Sequence, residues 1–417
     1  MRKIRTLSIA GAAAAALVLT SCSGPAATQS GGGGDGGGGE PRTLKVQEIF
    51  SPGDTFADST KAWGDYVEEA TGGSLTMDYF WGNAIAPTNE VASAMKDGLI
   101  DVARQQPPSA PADFPVMNWL SEAASMNVAA MPAGLLQKVG AHMQFVMNSE
   151  NGTPALDAEL NNLGVQYLGA FAIVQQYDML CRDGLESLDD FKGVKVRVAG
   201  QAWVEEAENL GMEPVTLLPE EIYEGYQRGI VDCVMTYPTH WIATGLWELG
   251  GEYVPVKFNG WNQDGLTMSK SVYDSLSDEE RQAAHEGTRE WLKSYILKQL
   301  DGYWEFLTKK DQHDIGTAEV QDDVVSAIDA HHDEVLGGLA EKAPEQIGDA
   351  QAFLDEYQAM SDEWKDKVAD LGFDVDANGA QGLVDSLEDP TKPPSEQIDL
   401  DPWLDEVMAA SFPTNAE

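Results

Sequence analysis

The sequence predicts an α/β protein of two lobes built on one plan, and three observations carry that prediction. From Leu188 to Cys233 the chain reads strand, helix, strand, helix, strand. Val194, Val196 and Val198 alternate with Lys195 and Arg197, the period of a half-buried strand. Ala202 to Leu210 is helical and closed by Gly211, Pro214 to Leu217 is a second strand, Glu220 to Arg228 a second helix closed by Gly229, and Ile230 to Met235 a third strand. That order implies a parallel or mixed sheet with helices on its faces, with ligands at the carboxyl ends of its strands. The same order runs from Leu44 to Ala103. Third, the turns Gly98-Leu99-Ile100-Asp101 and Gly229-Ile230-Val231-Asp232 match, one in each run.

Taken in order, the chain opens with Arg2, Lys3 and Arg5 before an Ala-rich apolar run, Leu7 to Leu19, too short to span a membrane comfortably. It ends Leu19-Thr20-Ser21-Cys22, small residues before a lone Cys, the pattern of a bacterial lipoprotein signal in which Cys22 becomes the acylated N-terminus. An ordinary secretory peptide with an incidental Cys is the alternative. Residues 1–22 are read as the signal and 23–41, with a run of eight glycines broken only by Asp35, as a flexible tether.

The folded part begins near Arg42. Leu44 to Phe50 alternates like a strand, Thr55 to Ala70 is an amphipathic helix closed by Gly72-Gly73, and Ser74 to Phe80 is a strand. Glu90 to Lys96 is a helix and Leu99 to Ala103 a strand. Four prolines from Pro107 to Pro115 mark a loop before an apolar helical region reaching Asn148. Val165 to Leu180 reads as one strand long enough to pass from lobe to lobe; Tyr253 to Phe258 and Leu266 to Met268 read as strands that return. Ser277 caps a helix with Asp278, Glu279 and Glu280 in its first turn. The pattern persists to about Lys310, roughly 45–50 Å of helix at 1.5 Å per residue. Beyond Thr317 the chain is acidic and mostly helical, and His331-His332 is expected to face solvent.

Composition narrows function. The chain has 417 residues, 43% hydrophobic, enough to bury a core split into two lobes. With 26 basic against 69 acidic residues the formal charge is −43, which repels nucleic acid and anionic membrane alike. No Gly-x-Ser-x-Gly, no His-Glu-x-x-His and no Cys beside a His partner is present, and six His offer few general bases. Cys181 and Cys233 fall on strands of one lobe: a disulfide suits an exported protein, and two separate buried thiols are the competing state. Asp374, Asp376, Asn378 and Asp385 stand at the spacing of a calcium loop, but the last ligand is Asp where Glu is usual and Gln381 replaces an apolar residue. No metal and no cofactor is expected. Trp241, Trp247 and Trp261 could stack on sugars, although with 11 Trp in the chain most must be core.

Four stretches together resemble the solute-binding proteins of TRAP (tripartite ATP-independent periplasmic) transporters: Val67-Glu68-Glu69-Ala70-Thr71-Gly72-Gly73; Asp97 to Asp101; Leu188 to Val198 followed by Leu210-Gly211 through Val231-Asp232; and Met268 to Arg281. The resemblance covers roughly Leu44 to Gly287. It implies a two-lobe, periplasmic-binding-protein-like fold of type II-like form, with strands crossing between lobes and one long helix bridging both. Lobe I is expected over 42–173 and 263–303, and lobe II over 174–262 and 304–417 with the C-terminal helices.

The resemblance also implies the site. Arg197 matches the family's Arg, whose planar guanidinium takes a ligand carboxylate through a bidentate fork. Gln176 and Tyr177 fall where the family adds a second polar group, and Thr236 or Tyr237 where it often has Asn or Trp. In members that bind through a cation, a carboxylate follows a Gly-Trp turn; here Trp261 is followed by Asn262 and Gln263, a departure that argues against a metal-assisted site. Trp81, Asn83 and Gln106 lie on loops after lobe I strands. The implied function is capture of a small organic acid for a pair of TRAP membrane subunits, with the membrane touched only through the lipid on Cys22. An ABC-type binding protein, told apart by whether one helix bridges both lobes, is one rival; a sensor of a sugar or sugar acid is another, with an identical fold and only its genomic neighbours to tell it apart.

Overall fold

The computed structural model describes residues 41–127, 130–172, 176–217, 221–260, 263–376 and 379–413. The signal and tether, with Cys22, lie outside the described residues. Two sheets form the frame. The first contains β1 (Arg42–Glu48), β2 (Leu75–Trp81), β3 (Val102–Gln105), β4 (Val165–Ala172) and β10 (Gln263–Ser269). The second contains β5 (Gln176–Cys181), β6 (Lys195–Val198), β7 (Glu213–Thr216), β8 (Cys233–Thr236), β9 (Gly251–Asn259) and β11 (Ile315–Thr317).

Strand order shows the common plan. The first sheet runs β2-β1-β3-β10-β4 and the second β7-β6-β8-β5-β9-β11. In each, three strands are parallel, the next is antiparallel to them, and that strand pairs antiparallel with its other neighbour. The matched turns explain themselves here. Gly98 and Gly229 sit at φ of +74° and +72°, a conformation open to Gly at no steric cost. Each turn then ends in an Asp that clasps the middle one of its lobe's three parallel strands. The Lys45 amide donates to the Asp101 carboxylate at 2.8 Å, and the Lys195 amide to Asp232 at 3.1 Å. The Asp amides donate back, to the Lys45 and Lys195 carbonyls. Because Asp232 is spent on this clasp, β8 begins at Cys233 and not at Ile230; β3 likewise begins at Val102 and not at Leu99.

The run from Val165 to Leu180 is two strands in two sheets, β4 and β5, and β9 to β10 makes the return passage. Cys181 and Cys233 are partners in register across β5 and β8 and are joined by a disulfide. The helix expected from Ser277 to Lys310 breaks at Gly287 into Asp278–Glu286 and Thr288–Lys309. A Cβ at Gly287 would lie 3.0 Å from Trp63 and 3.2 Å from Tyr66, so Gly there lets the Thr55–Ala70 helix approach.

Thr288–Lys309 still spans both lobes, about 33 Å at 1.5 Å per residue. It packs on the Thr55–Ala70 helix and, through Trp291 and Tyr295, on Phe171 of β4. Further along, Gln299 accepts from Thr239, Tyr303 donates to the Gln176 carbonyl, and Phe306 packs on Trp241 in the second lobe. Trp241 is fully buried there, which removes it as a sugar platform. The helices Ala350–Asp370 and Asp401–Ser411 pack on Ala133–Met147. His332 is not free in solvent: its Nε2 meets the buried Glu206 carboxylate at 2.6 Å.

Candidate functional site

A cavity of about 190 Å³ lies between the two sheets. Its wall is built from the residues that follow the parallel strands, as the crossover topology requires. Phe50 and Phe56 follow β1, and Gln106, Pro108 and Ser109 follow β3. Arg197 and Ala199 mark the end of β6, Thr216 and Leu217 that of β7, and Thr236, Tyr237 and His240 that of β8; Tyr177 reaches in from β5. A wider cleft of about 520 Å³ continues outward past Pro108, Ala199 and Thr216 to Trp119 and Trp203.

Arg197 is the cavity's cation and is only 4% exposed. Its Nε and Nη2 donate to the Leu217 carbonyl at 3.2 and 3.1 Å, and Nη1 reaches the Met235 carbonyl at 3.4 Å. Those contacts fix the plane of the guanidinium without neutralising it. No carboxylate of the described residues stands within ion-pair distance. Burial pulls its pKa down to about 10, and only the neighbouring Tyr177 and Tyr237 oppose that pull. A buried guanidinium held in place and left unpaired is a socket for an anion.

The remaining lining is aromatic and neutral. Phe50 and Phe56 lie near parallel at 5.8 Å, and Tyr177 stacks on Trp203 at 5.0 Å. His240, one helical turn after Tyr237, shares a hydrogen bond of 3.1 Å between its Nδ1 and the Thr236 hydroxyl. Burial, with Arg197 and Arg104 nearby, depresses its pKa to about 3. The imidazole is therefore neutral at ordinary pH.

Behind Phe56 lies a second buried arginine. Arg104 of β3 pairs with Asp264 at 2.6 Å and with Glu48 at 3.3 Å, all three essentially without exposure. Its guanidinium carbon sits 3.8 Å from the Phe56 ring centre and so backs the cavity wall. Burial pushes the Asp264 carboxyl up, against the pull of Arg104. Raised to about 8, Asp264 is largely protonated near neutrality, so Glu48 balances the Arg104 charge and the cluster carries no free cation.

Of the residues singled out from the sequence, the cavity gathers Arg197, Tyr177, Thr236, Tyr237 and Gln106. Gln176 turns its amide to Asp178 on the same strand, at 3.1 and 3.2 Å. Trp81 stacks on Tyr79 at 4.9 Å, and Asn83 donates to Thr88 in a local turn; these three are absent from the wall. Trp261 and Asn262 lie outside the described residues, as does Asn378, and the Gln263 side chain is likewise not described. Asp374 accepts from the Asp376 amide and Asp385 from Gln381, each a local bond. Among the described residues no group of three His, Cys, Asp or Glu converges to hold a metal.

Phe50, Phe56 and His240 were not singled out in the sequence. Phe50 and Phe56 bracket the Ser51-Pro52-Gly53-Asp54 break at the end of β1, a position where ligand contacts belong. For His240 the available signal was its place one turn beyond the end of β8.

Residues 46–336 match the model of the bacterial extracellular solute-binding proteins, family 7. A solute-binding protein of Albidiferax ferrireducens is 24% identical over 250 residues, spanning 57% of this chain and 69% of the relative. Among solved structures, a marine metagenome TRAP solute-binding protein specific for pyroglutamate superposes with a TM-score of 0.64 at 16% identity, over 77% of this chain and 99% of that one. The ectoine-binding protein of the TeaABC TRAP transporter of Halomonas elongata gives 0.63 at 19%, over 77% and 100%. A marine metagenome protein specific for aromatic acids gives 0.65 at 14%, over 78% and 99%. At these identities the structures speak for the two-lobe fold alone. The family match covers most of the chain, and the protein belongs to the family 7 extracellular solute-binding proteins, the solute-binding components of TRAP transporters.

Proposed function

We propose that this protein is an extracytoplasmic lipoprotein that captures a small organic acid in the interlobe cavity and delivers it to TRAP membrane subunits. The observation that carries the reading is the buried, fixed and unpaired guanidinium of Arg197 at the carboxyl end of β6. Relatives of the same fold bind pyroglutamate and aromatic acids, which supports an acid ligand. The bridging Thr288–Lys309 helix supports a TRAP-type over an ABC-type partner. The reading places membrane attachment on acylation of Cys22; among the described residues no helix is long and apolar enough to cross a membrane.

A thermal-shift screen of small carboxylates, polyols and sugar acids tests the ligand class, since a ligand of the folded state raises the melting temperature by mass action. Calorimetric titration of the best acid should then show at least a ~30-fold loss in Arg197→Ala, on the scale of a buried charge pair losing one member. Binding of that acid at wild-type affinity by Arg197→Ala would remove the reading. Labelled fatty acid should enter the full-length chain and not Cys22→Ser.

A further inference from the structure

Two of the cavity's polar groups differ in kind, and their difference limits the ligand. Arg197 is charged and unpaired. His240, only 8% exposed, is the other: its Nδ1 is engaged by the Thr236 hydroxyl, and its Nε2 is buried with no hydrogen-bond partner among the described residues. A buried polar nitrogen left unsatisfied costs stability and asks for a partner. The neutral imidazole has one donor and one acceptor nitrogen, so Nε2 takes whichever role the Thr236 bond leaves it.

The charges around the cavity decide what that partner is. Protonating His240 would place a third cation beside Arg197 and Arg104. Among the described residues a second carboxylate on the ligand would find no second free cation, because Arg104 is already engaged by Glu48 and Asp264. It would be buried in the cavity with no cation to pair it, and a buried charge without a partner is strongly unfavourable. An uncharged hydroxyl, amide or carbonyl meets neither obstacle.

Building on the acid-binding reading of Arg197, we propose that His240 contacts the ligand and reads a second, uncharged polar group on it. The site therefore takes compact monocarboxylic acids bearing a hydroxyl, amide or carbonyl and turns away dicarboxylates. The flat rings of Phe50, Phe56 and Tyr177 favour a ring between the two polar ends.

The test uses two matched series: benzoate, 3-hydroxybenzoate and isophthalate; and cyclopentanecarboxylate, pyroglutamate and cyclopentane-1,3-dicarboxylate. Each is titrated calorimetrically into the wild type, Arg197→Ala and His240→Phe. In at least one series the uncharged polar substituent should tighten binding about tenfold over the parent acid, the scale of one hydrogen bond to a buried partner, and the diacid should bind weakest. His240→Phe, which keeps a ring, should erase that advantage and leave the parent acid within about threefold. The inference falls if the diacid binds tightest in the wild type, a result that needs no variant to fold. It also falls if His240→Phe weakens parent and substituted acid equally, as a packing role would. If no acid binds in a way that Arg197→Ala abolishes, the acid-binding reading itself fails and takes this inference with it.

Discussion

Arg104 and Arg197 look alike in the sequence: each sits near the end of a strand, one in each lobe, and each is almost completely buried. Their surroundings separate them. Arg104 is clamped by Glu48 and Asp264, whereas Arg197 meets only backbone carbonyls. Burial with a matched charge ties strands together; burial without one stores binding capacity at a cost in stability. Lobe I has used its arginine to hold β1, β3 and β10 and to support the Phe56 wall, and lobe II has kept its arginine for the ligand.

The largest effect that could break this contrast is on folding. Arg104→Met should cost about 3–5 kcal/mol, because it strands two buried carboxylates. Arg197→Met should cost far less, or stabilise, since it removes an unpaired buried charge. Denaturant unfolding of both variants without ligand compares them directly, and equal losses would end the distinction. Binding should reverse the order. The best acid found by screening should bind Arg197→Met at least ~30-fold more weakly than wild type, with a smaller change for any Arg104 variant that still folds.

A finer measurement sharpens the picture of the clamp. Asp264→Asn keeps the shape and leaves Glu48 to neutralise Arg104. It should cost about 1–2 kcal/mol, well below Arg104→Met. A loss as large as that of Arg104→Met would mean that Asp264 alone carries the pair.

The same contrast explains which parts could be read beforehand. The two-lobe plan was legible because its determinants are local: valine alternation in β6, and a Gly turn ending in Asp before β3 and β8. Arg197 was legible only through resemblance, since an Arg alternating with Lys on a strand reads alone as a solvated residue. Arg104 was hidden because its partners, Glu48 and Asp264, are 56 and 160 residues away. Trp81 and Asn83 stand after a strand as ligand contacts do, but β2 is the outermost strand of its sheet and its end lies off the cavity. The break at Gly287 was invisible for a related reason: the pattern of one helix does not show how closely another approaches it.

The smallest expected effect is on pH dependence. His240 is neutral with a pKa near 3, held down by burial and by Arg197 and Arg104, while Tyr177 and Tyr237 beside it are raised and uncharged. Arg197 remains protonated well above neutrality. His240 and Arg197 should therefore add no pH dependence to carboxylic-acid affinity from pH 5 to 8; a change in that window that persists in His240→Phe belongs to the buried Asp54 and Asp264, whose carboxyls are raised to about 6 and about 8. Stability moves instead. With the folded pKa of His240 below its unfolded value near 6.5, the unfolded chain binds a proton that the folded one refuses, so this residue's contribution is complete above pH 6.5 and is lost as pH falls toward 3. His240→Phe should flatten that part of the acid limb of the melting curve. A binding curve that instead changed near pH 6.5 in the wild type and not in His240→Phe would show His240 charging in the cleft, and the division between one charged and one neutral reader would be wrong.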